Sequence, residues 1–121
     1  MAKLVNDVVL DAALNIIAGA NIMTACNNSV ANRTDAVTTY ALADIAMNGA
    51  DYTNADGNAS GRKVTIAQKT GVTVDANGTA NHVALCNATL LLYATTATAQ
   101  ALTAGNTMTF NAWAIEIADP T

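Results

Sequence analysis

Charge is scarce in this chain. The 121 residues include five Lys and Arg, nine Asp and Glu and one His, and 12% of positions are charged where about a quarter is usual. The net charge of -4 excludes a broad basic surface. Nucleic acid is therefore not expected as a partner, because binding phosphates requires Lys and Arg to displace their counterions. Cysteine is nearly absent too. Cys26 and Cys86 are too few for a disulfide scaffold and lack the C-x-x-C spacing of a metal or redox motif. Two readings of them stay open: small core or interface residues, or a disulfide within or between chains. No apolar run approaches the ~18 residues of a membrane span. The most apolar stretch, "VVLDAALNII" at 8–17, is broken by Asp11 and Asn15, and the opening lysine followed by an apolar run only superficially matches a signal peptide. A soluble protein made and kept in the cytoplasm until assembly or lysis, with no membrane partner, is the expectation. Catalytic signatures are missing as well: there is no G-x-S-x-G, no phosphate-binding loop and no H-E-x-x-H.

Ala, Thr and Asn fill nearly half the chain. Solubility then rests on neutral polar groups, and such a surface is readily buried against protein neighbours. The length suits one domain, 1–121. Its one convincing helix is predicted at 6–18, with Asn6 or Asp7 as N-cap and Gly19 at the end. Asp7, Asp11 and Asn15 recur every four residues as a narrow polar stripe, and nearly everything else on the helix is apolar. A sheet can cover one side. A neighbouring subunit is expected to cover part of the rest, with Val8, Ala12, Ala13 and Ile16 as candidate interface residues.

Beyond the helix, "ANIMTAC" (20–26) reads as a strand, 27–35 as a loop, and "TTYALADIAM" (38–47) as a strand despite its Ala and Leu. The run "NGADYTNADGNASG" (48–61) reads as an exposed loop. From residue 61 the pattern is β throughout, with Asn77-Gly78 a strong hairpin signal between "VTV" and "HVAL". Met108 and Phe110 alternate in one register while Trp113, Ile115 and Ile117 alternate in the other. That phase change predicts a β-bulge at Asn111 or Ala112. The fold class expected is mainly β, an antiparallel β-sandwich or barrel-like domain with one N-terminal α-helix. Val83, Leu85, Leu90, Leu92, Phe110, Trp113, Ile115 and Ile117 are its expected core.

His82 and Cys86, four residues apart, are the nearest approach to a chemical site. On a strand that spacing is about 13 Å, beyond the reach of one metal ion or one proton transfer. No catalytic residue, metal ligand or cofactor is assigned, and an enzyme is not expected. The 48–61 segment offers Asp51, Tyr52, Asn54, Asp56 and Asn58 as a candidate binding loop. Its spacing matches a calcium loop poorly, since Arg62 and Lys63 stand where further acids are needed. Tyr52 among amides could instead stack on a sugar.

Four stretches, "VLDAALNII", "SGRKVT", "GTANHVALCN" with "LLYAT", and "ALTAGNTMTFNAWAIEIADP", together cover roughly two thirds of the chain. In that order it resembles the small virion structural proteins of tailed bacteriophages. The resemblance carries no catalytic residue. It implies a virion location and, with the low charge and over-apolar helix, a head decoration or cement protein that forms a homo-oligomer and docks on the major capsid protein or another virion protein. The alternative is a tail or fibre module that contacts host-surface carbohydrate through 48–61.

Overall fold

A computed structural model describes residues 5–119. The chain is mainly β with antiparallel sheets and one N-terminal helix. Helix α1 (Asp7–Ile17) begins where the Asn6 side chain accepts the Val8 N–H at 2.8 Å, which satisfies one of the amides a helix start leaves unpaired. Nine strands follow: β1 (Ile22–Cys26), β2 (Ala41–Ala46), β3 (Tyr52–Asp56), β4 (Arg62–Ile66), β5 (Lys69–Thr73), β6 (Gly78–Cys86), β7 (Leu91–Leu102), β8 (Thr107–Phe110) and β9 (Trp113–Ile117). They form sheets ordered β2-β1-β6-β7, β3-β4-β9 and β5-β8.

The four-stranded sheet stands against the other two in a sandwich-like arrangement, and the core lies between them. Met23, Ala25, Leu42 and Leu85 enter it from one side, Val64, Ile66, Val72, Met108, Phe110 and Ile115 from the other, and Leu14 from the helix. Strand periodicity explains this division: on β4, Val64 and Ile66 are buried while the alternate residues Lys63 and Thr65 are half-buried. Strand β1 is different, with Met23, Thr24, Ala25 and Cys26 all buried. Its outer face is covered by the segment at 27–40, so that Ala36, Ala84 and Cys86 make a second small cluster with Val30 and Val37 packed on it. Arg33 ties that segment down by donating to the Asn87 carbonyl at 2.7 Å. The expected 27–35 loop therefore runs into a π-helical turn, Asp35–Thr39, and the strand read at 38–47 is present as β2 from Ala41.

Several expectations are corrected. Asn77-Gly78 makes no hairpin, since β5 pairs with β8, and β6 pairs with β1 and β7. A two-residue turn would have put both strands in one sheet, whereas their apolar faces approach the core from opposite sides, so packing overrides the turn signal. Asn77 instead accepts the Ala104 N–H at 2.8 Å. The phase change at 111–112 is not a bulge within one strand. The chain leaves β8, paired to β5, and enters β9, paired to β4, and this change of sheet lets Phe110 and Ile115 both face inward. Leu90 is not core: it is 58% exposed, held in a turn where the Asn87 side chain accepts the Thr89 and Leu90 amides at 2.8 and 2.7 Å. Val83, Leu92, Trp113 and Ile117 are half-buried and pack against the core that holds Leu85, Phe110 and Ile115. The segment expected as a loop at 48–61 holds a short 3-10 turn, strand β3 and the turn that leads into β4, with which β3 pairs. That last turn needs Gly61, whose φ is +72°, and a Cβ there would run into the Ile117 carbonyl oxygen.

The contrast between two leucines tests this packing. Leu85→Ala, at a fully buried position on a central strand, is expected to destabilise the fold by about 2–5 kcal/mol. Leu90→Ala should stay within about 0.5 kcal/mol. Urea unfolding followed by Trp113 fluorescence measures both, and equal losses would contradict the core described.

Candidate functional site

The candidate binding residues of 48–61 are engaged within the chain. Asp51 ends a 3-10 turn (Gly49–Asp51) in which it accepts the Asn48 N–H at 2.9 Å, and Asn48 in return accepts the Ala50 N–H. Asp51 also pairs with Lys69 at 2.8 Å. The Tyr52 hydroxyl donates to the Ala20 carbonyl at 2.9 Å, fastening β3 to the end of the helix, and its half-buried ring packs against the core. Burial, and then the charge on Asp51, push this phenol up to about 12. Asn54 donates to Asn15 at 3.0 Å, Asp56 accepts from Arg62 at 2.7 Å, and Asn58 accepts from Lys63 at 3.0 Å. These bonds build the hairpin and dock α1 on it.

The thiols and the histidine are similarly placed by the ladder. Cys26 and Cys86 are free and buried. The Cys26 thiol donates to the Ala36 carbonyl at 3.4 Å and lies 3.4 Å from the Thr24 hydroxyl. Burial pushes both thiols above their ordinary value. Cys26 stands opposite His82 in the β1–β6 register, and Cys86 stands opposite Ile22. His82 Nδ1 lies 2.6 Å from the Asn81 side-chain oxygen. Among the described residues, no group of three His, Cys, Asp or Glu is positioned to hold a metal ion, and no helix is long and apolar enough to cross a membrane.

A cleft of about 790 Å³ opens between residues 95–100 of β7 and residues 108–113, with Ala25, Ala80 and Val83 at its floor. It exists because β7 pulls away from β6: Thr96 faces His82 and Gln100 faces Ala80, which leaves three residues of β7 opposite Asn81 alone. His82 is the one titratable side chain in its lining. Trp113 forms part of the wall, its ring 5.9 Å from that of Tyr93 and tilted 34° to it.

The other candidate surface is the helix. Its polar stripe is turned toward the hairpin: Asp11 pairs with Arg62 at 2.8 Å, and Asn15 meets Asn54. Leu10 and Leu14 face the core. With 3.6 residues per turn, the remaining direction is filled by apolar side chains, and the structure leaves them bare. Val8, Ala12, Ala13 and Ile16 are all exposed, with Val8 at 75% and Ile16 at 67%. Val9, at 60% exposure, belongs to the same face. Once Leu10 and Leu14 are taken as the buried pair, the helical wheel alone places Val9 there.

No family model, curated protein or solved structure matches the chain.

Two outcomes test the site chemistry. A thiol reagent is expected to leave both cysteines unmodified in the folded chain and to modify both in denaturant, because each is buried and held as a thiol; rapid labelling under native conditions would contradict this. Asp51 is the second probe. Its hydrogen bond from Lys69, followed by the Asn48 amide and the Lys69 charge, holds its carboxyl below the ordinary 3.8 in spite of burial. A carboxyl with a lowered folded-state pKa stabilises the fold above its unfolded value and loses that contribution as pH falls through the folded value. Lys69→Met should therefore be less stable than the parent at pH 7, with the gap closing as pH falls below 3.8. Urea midpoints across that range measure it, and a gap independent of pH would exclude the Asp51 pairing as its source.

Proposed function

We propose that this chain is a structural subunit of a tailed-bacteriophage virion, a head decoration or cement protein that docks on the major capsid lattice. The observation that carries the reading is the bare helix face. Val8, Val9 and Ile16 are three of the four large hydrophobic side chains exposed among the described residues, and they share one side of an eleven-residue helix with Ala12 and Ala13. Scattered exposed apolar residues need no explanation, but a contiguous patch in a chain so poor in charge favours a protein surface as its cover. The likeness of four sequence stretches to small virion proteins supports the same class.

The mechanism is mechanical. Each copy covers its apolar face against a neighbour, and many modest interfaces, each linked to its neighbours by the lattice, add up to a shell that resists internal pressure. A role that rests on buried area, with no proton or group transfer, also suits a cleft whose lining holds a single titratable side chain. The carbohydrate-binding alternative has less support, because the Tyr52 ring packs inward and its hydroxyl is bonded to Ala20.

Ala12→Glu separates docking from folding. Ala12 is exposed, so the isolated subunit should keep its stability to within about 0.5 kcal/mol. Where this face is covered by a neighbouring copy on the lattice, burying the new carboxylate without a partner would cost several kcal/mol, so the variant is expected to fold yet to be poorly retained by particles that lack the protein. The parent should bind at a copy number set by the capsid lattice. A parent that binds no particle, or a folded variant that binds as well as the parent, would overturn this assignment.

A further inference from the structure

We propose that the bare face of α1 is a self-complementary interface, on which α1 of a second copy of this chain packs antiparallel about a two-fold axis passing between Ala12 and Ala13. The proposal rests on the reading of the chain as a subunit of a repeated assembly, and it names the occupant of the helix face.

Two observations select a second copy, and a third sets the strength of the pairing. The first is the arrangement of side chains. Val9, Ala12, Ala13 and Ile16 lie along one stripe of the helix, because spacings of three, four and seven residues bring side chains to the same side. All four are exposed. The stripe is symmetric about its own centre, with two small residues in the middle and a large β-branched residue at equal distance on either side. A two-fold axis requires that residue i meets j while j meets i. Here it sets Val9 against Ile16 of the second copy and Ile16 against its Val9, while the alanines at the axis let the two backbones come close.

The second observation is charge. Copies of a chain with net charge -4 repel one another unless they meet through neutral surface. The stripe carries no ionisable group, and the neighbouring Asp11 is turned aside to Arg62. Like charges are thus kept from facing each other across the axis.

The third is area. An eleven-residue helix is about 16 Å long, and a pair of such helices covers well under the ~800 Å² per partner of a standard stable interface. The pairing is consequently weak in dilute solution and grows with concentration. This suits subunits that a lattice already holds side by side, where effective concentrations reach the order of 1 mM.

Cysteine cross-linking tests both partner and direction, with the parent chain as the control because Cys26 and Cys86 are buried. In the antiparallel pair, position 9 lies beside position 16 of the second copy but is displaced from the other position 9 by about 10 Å along the axis, too far for a disulfide. Val9→Cys alone and Ile16→Cys alone are therefore expected to give no covalent dimer under mild oxidation at about 1 mM. An equimolar mixture of the two should give the mixed dimer on a non-reducing gel, and Ala12→Cys should cross-link to itself. Absence of the mixed dimer would overturn the proposal, as would cross-linking of Val9→Cys to itself as efficiently as in the mixture, which indicates parallel helices. A parent that stays monomeric in sedimentation at that concentration, yet docks on particles in an Ala12-dependent way, would overturn self-pairing and leave the virion assignment standing. A mixed dimer from a parent that binds no particle supports self-pairing and removes the virion assignment.

Discussion

The Arg62 guanidinium and the buried pair Leu10 and Leu14 together hold the rotation of the helix. Arg62 holds Asp11 of α1 at 2.8 Å and Asp56 of β3 at 2.7 Å from its position at the start of β4. With side-chain exposures of 18% for Arg62 and 28% for Asp11, this contact is far less exposed to solvent than an ordinary surface ion pair. The energy of one such pair is modest, but its geometric effect is large. Asn15 and Asn54 meet one turn further along, and the two contacts turn the polar stripe to the hairpin. Leu10 and Leu14 enter the core. Val8, Val9, Ala12 and Ile16 have no direction left but outward. The usual amphipathic arrangement, polar stripe to water and apolar face to core, is thus altered by polar side chains that have partners on the hairpin.

The rest of the molecule supplies a stiff platform for that helix. Sheet β2-β1-β6-β7 is covered on its inner face by the main core and at β1 and β6 on its outer face by the segment at 27–40. Buried on both sides, β1 has little room for rearrangement, since close-packed interiors transmit strain and resist changes of volume. The buried thiols belong to this packing. Cys26 and Cys86 are small, apolar side chains under a short layer of chain, a common situation for unpaired cysteine.

Two of the surfaces formed by the described residues differ in kind. The cleft beside β7 is a gap in the sandwich produced by extra residues in one strand, lined by Thr, Ala, Met, Phe and Trp side chains. The helix face is convex and apolar. Convex apolar surface suits another protein better than a small molecule, because ligand sites are concave and bury most of their ligand.

The mainly β class, the helix and its cap, and the inward set Leu85, Phe110 and Ile115 were legible in the sequence, because each depends on local periodicity or on a residue's own hydrogen-bonding habit. Asn6 caps wherever a helix starts, and alternation assigns faces wherever a strand forms. The phase change at 111–112 was legible as a change but not as an exchange of sheets, because the pattern records which side is apolar and not which strand lies alongside. Asn77-Gly78 misled for the same reason: a turn signal concerns four residues, whereas strand pairing is decided by apolar surfaces tens of residues away. The candidate helix residues were visible as an excess of apolar positions, and the Asp51 to Asn58 segment was visible as polar. Only the tertiary structure decided that the first are exposed and the second are bonded inward, since that outcome depends on Arg62 and Asn54 arriving beside a helix some forty to fifty residues earlier in the chain.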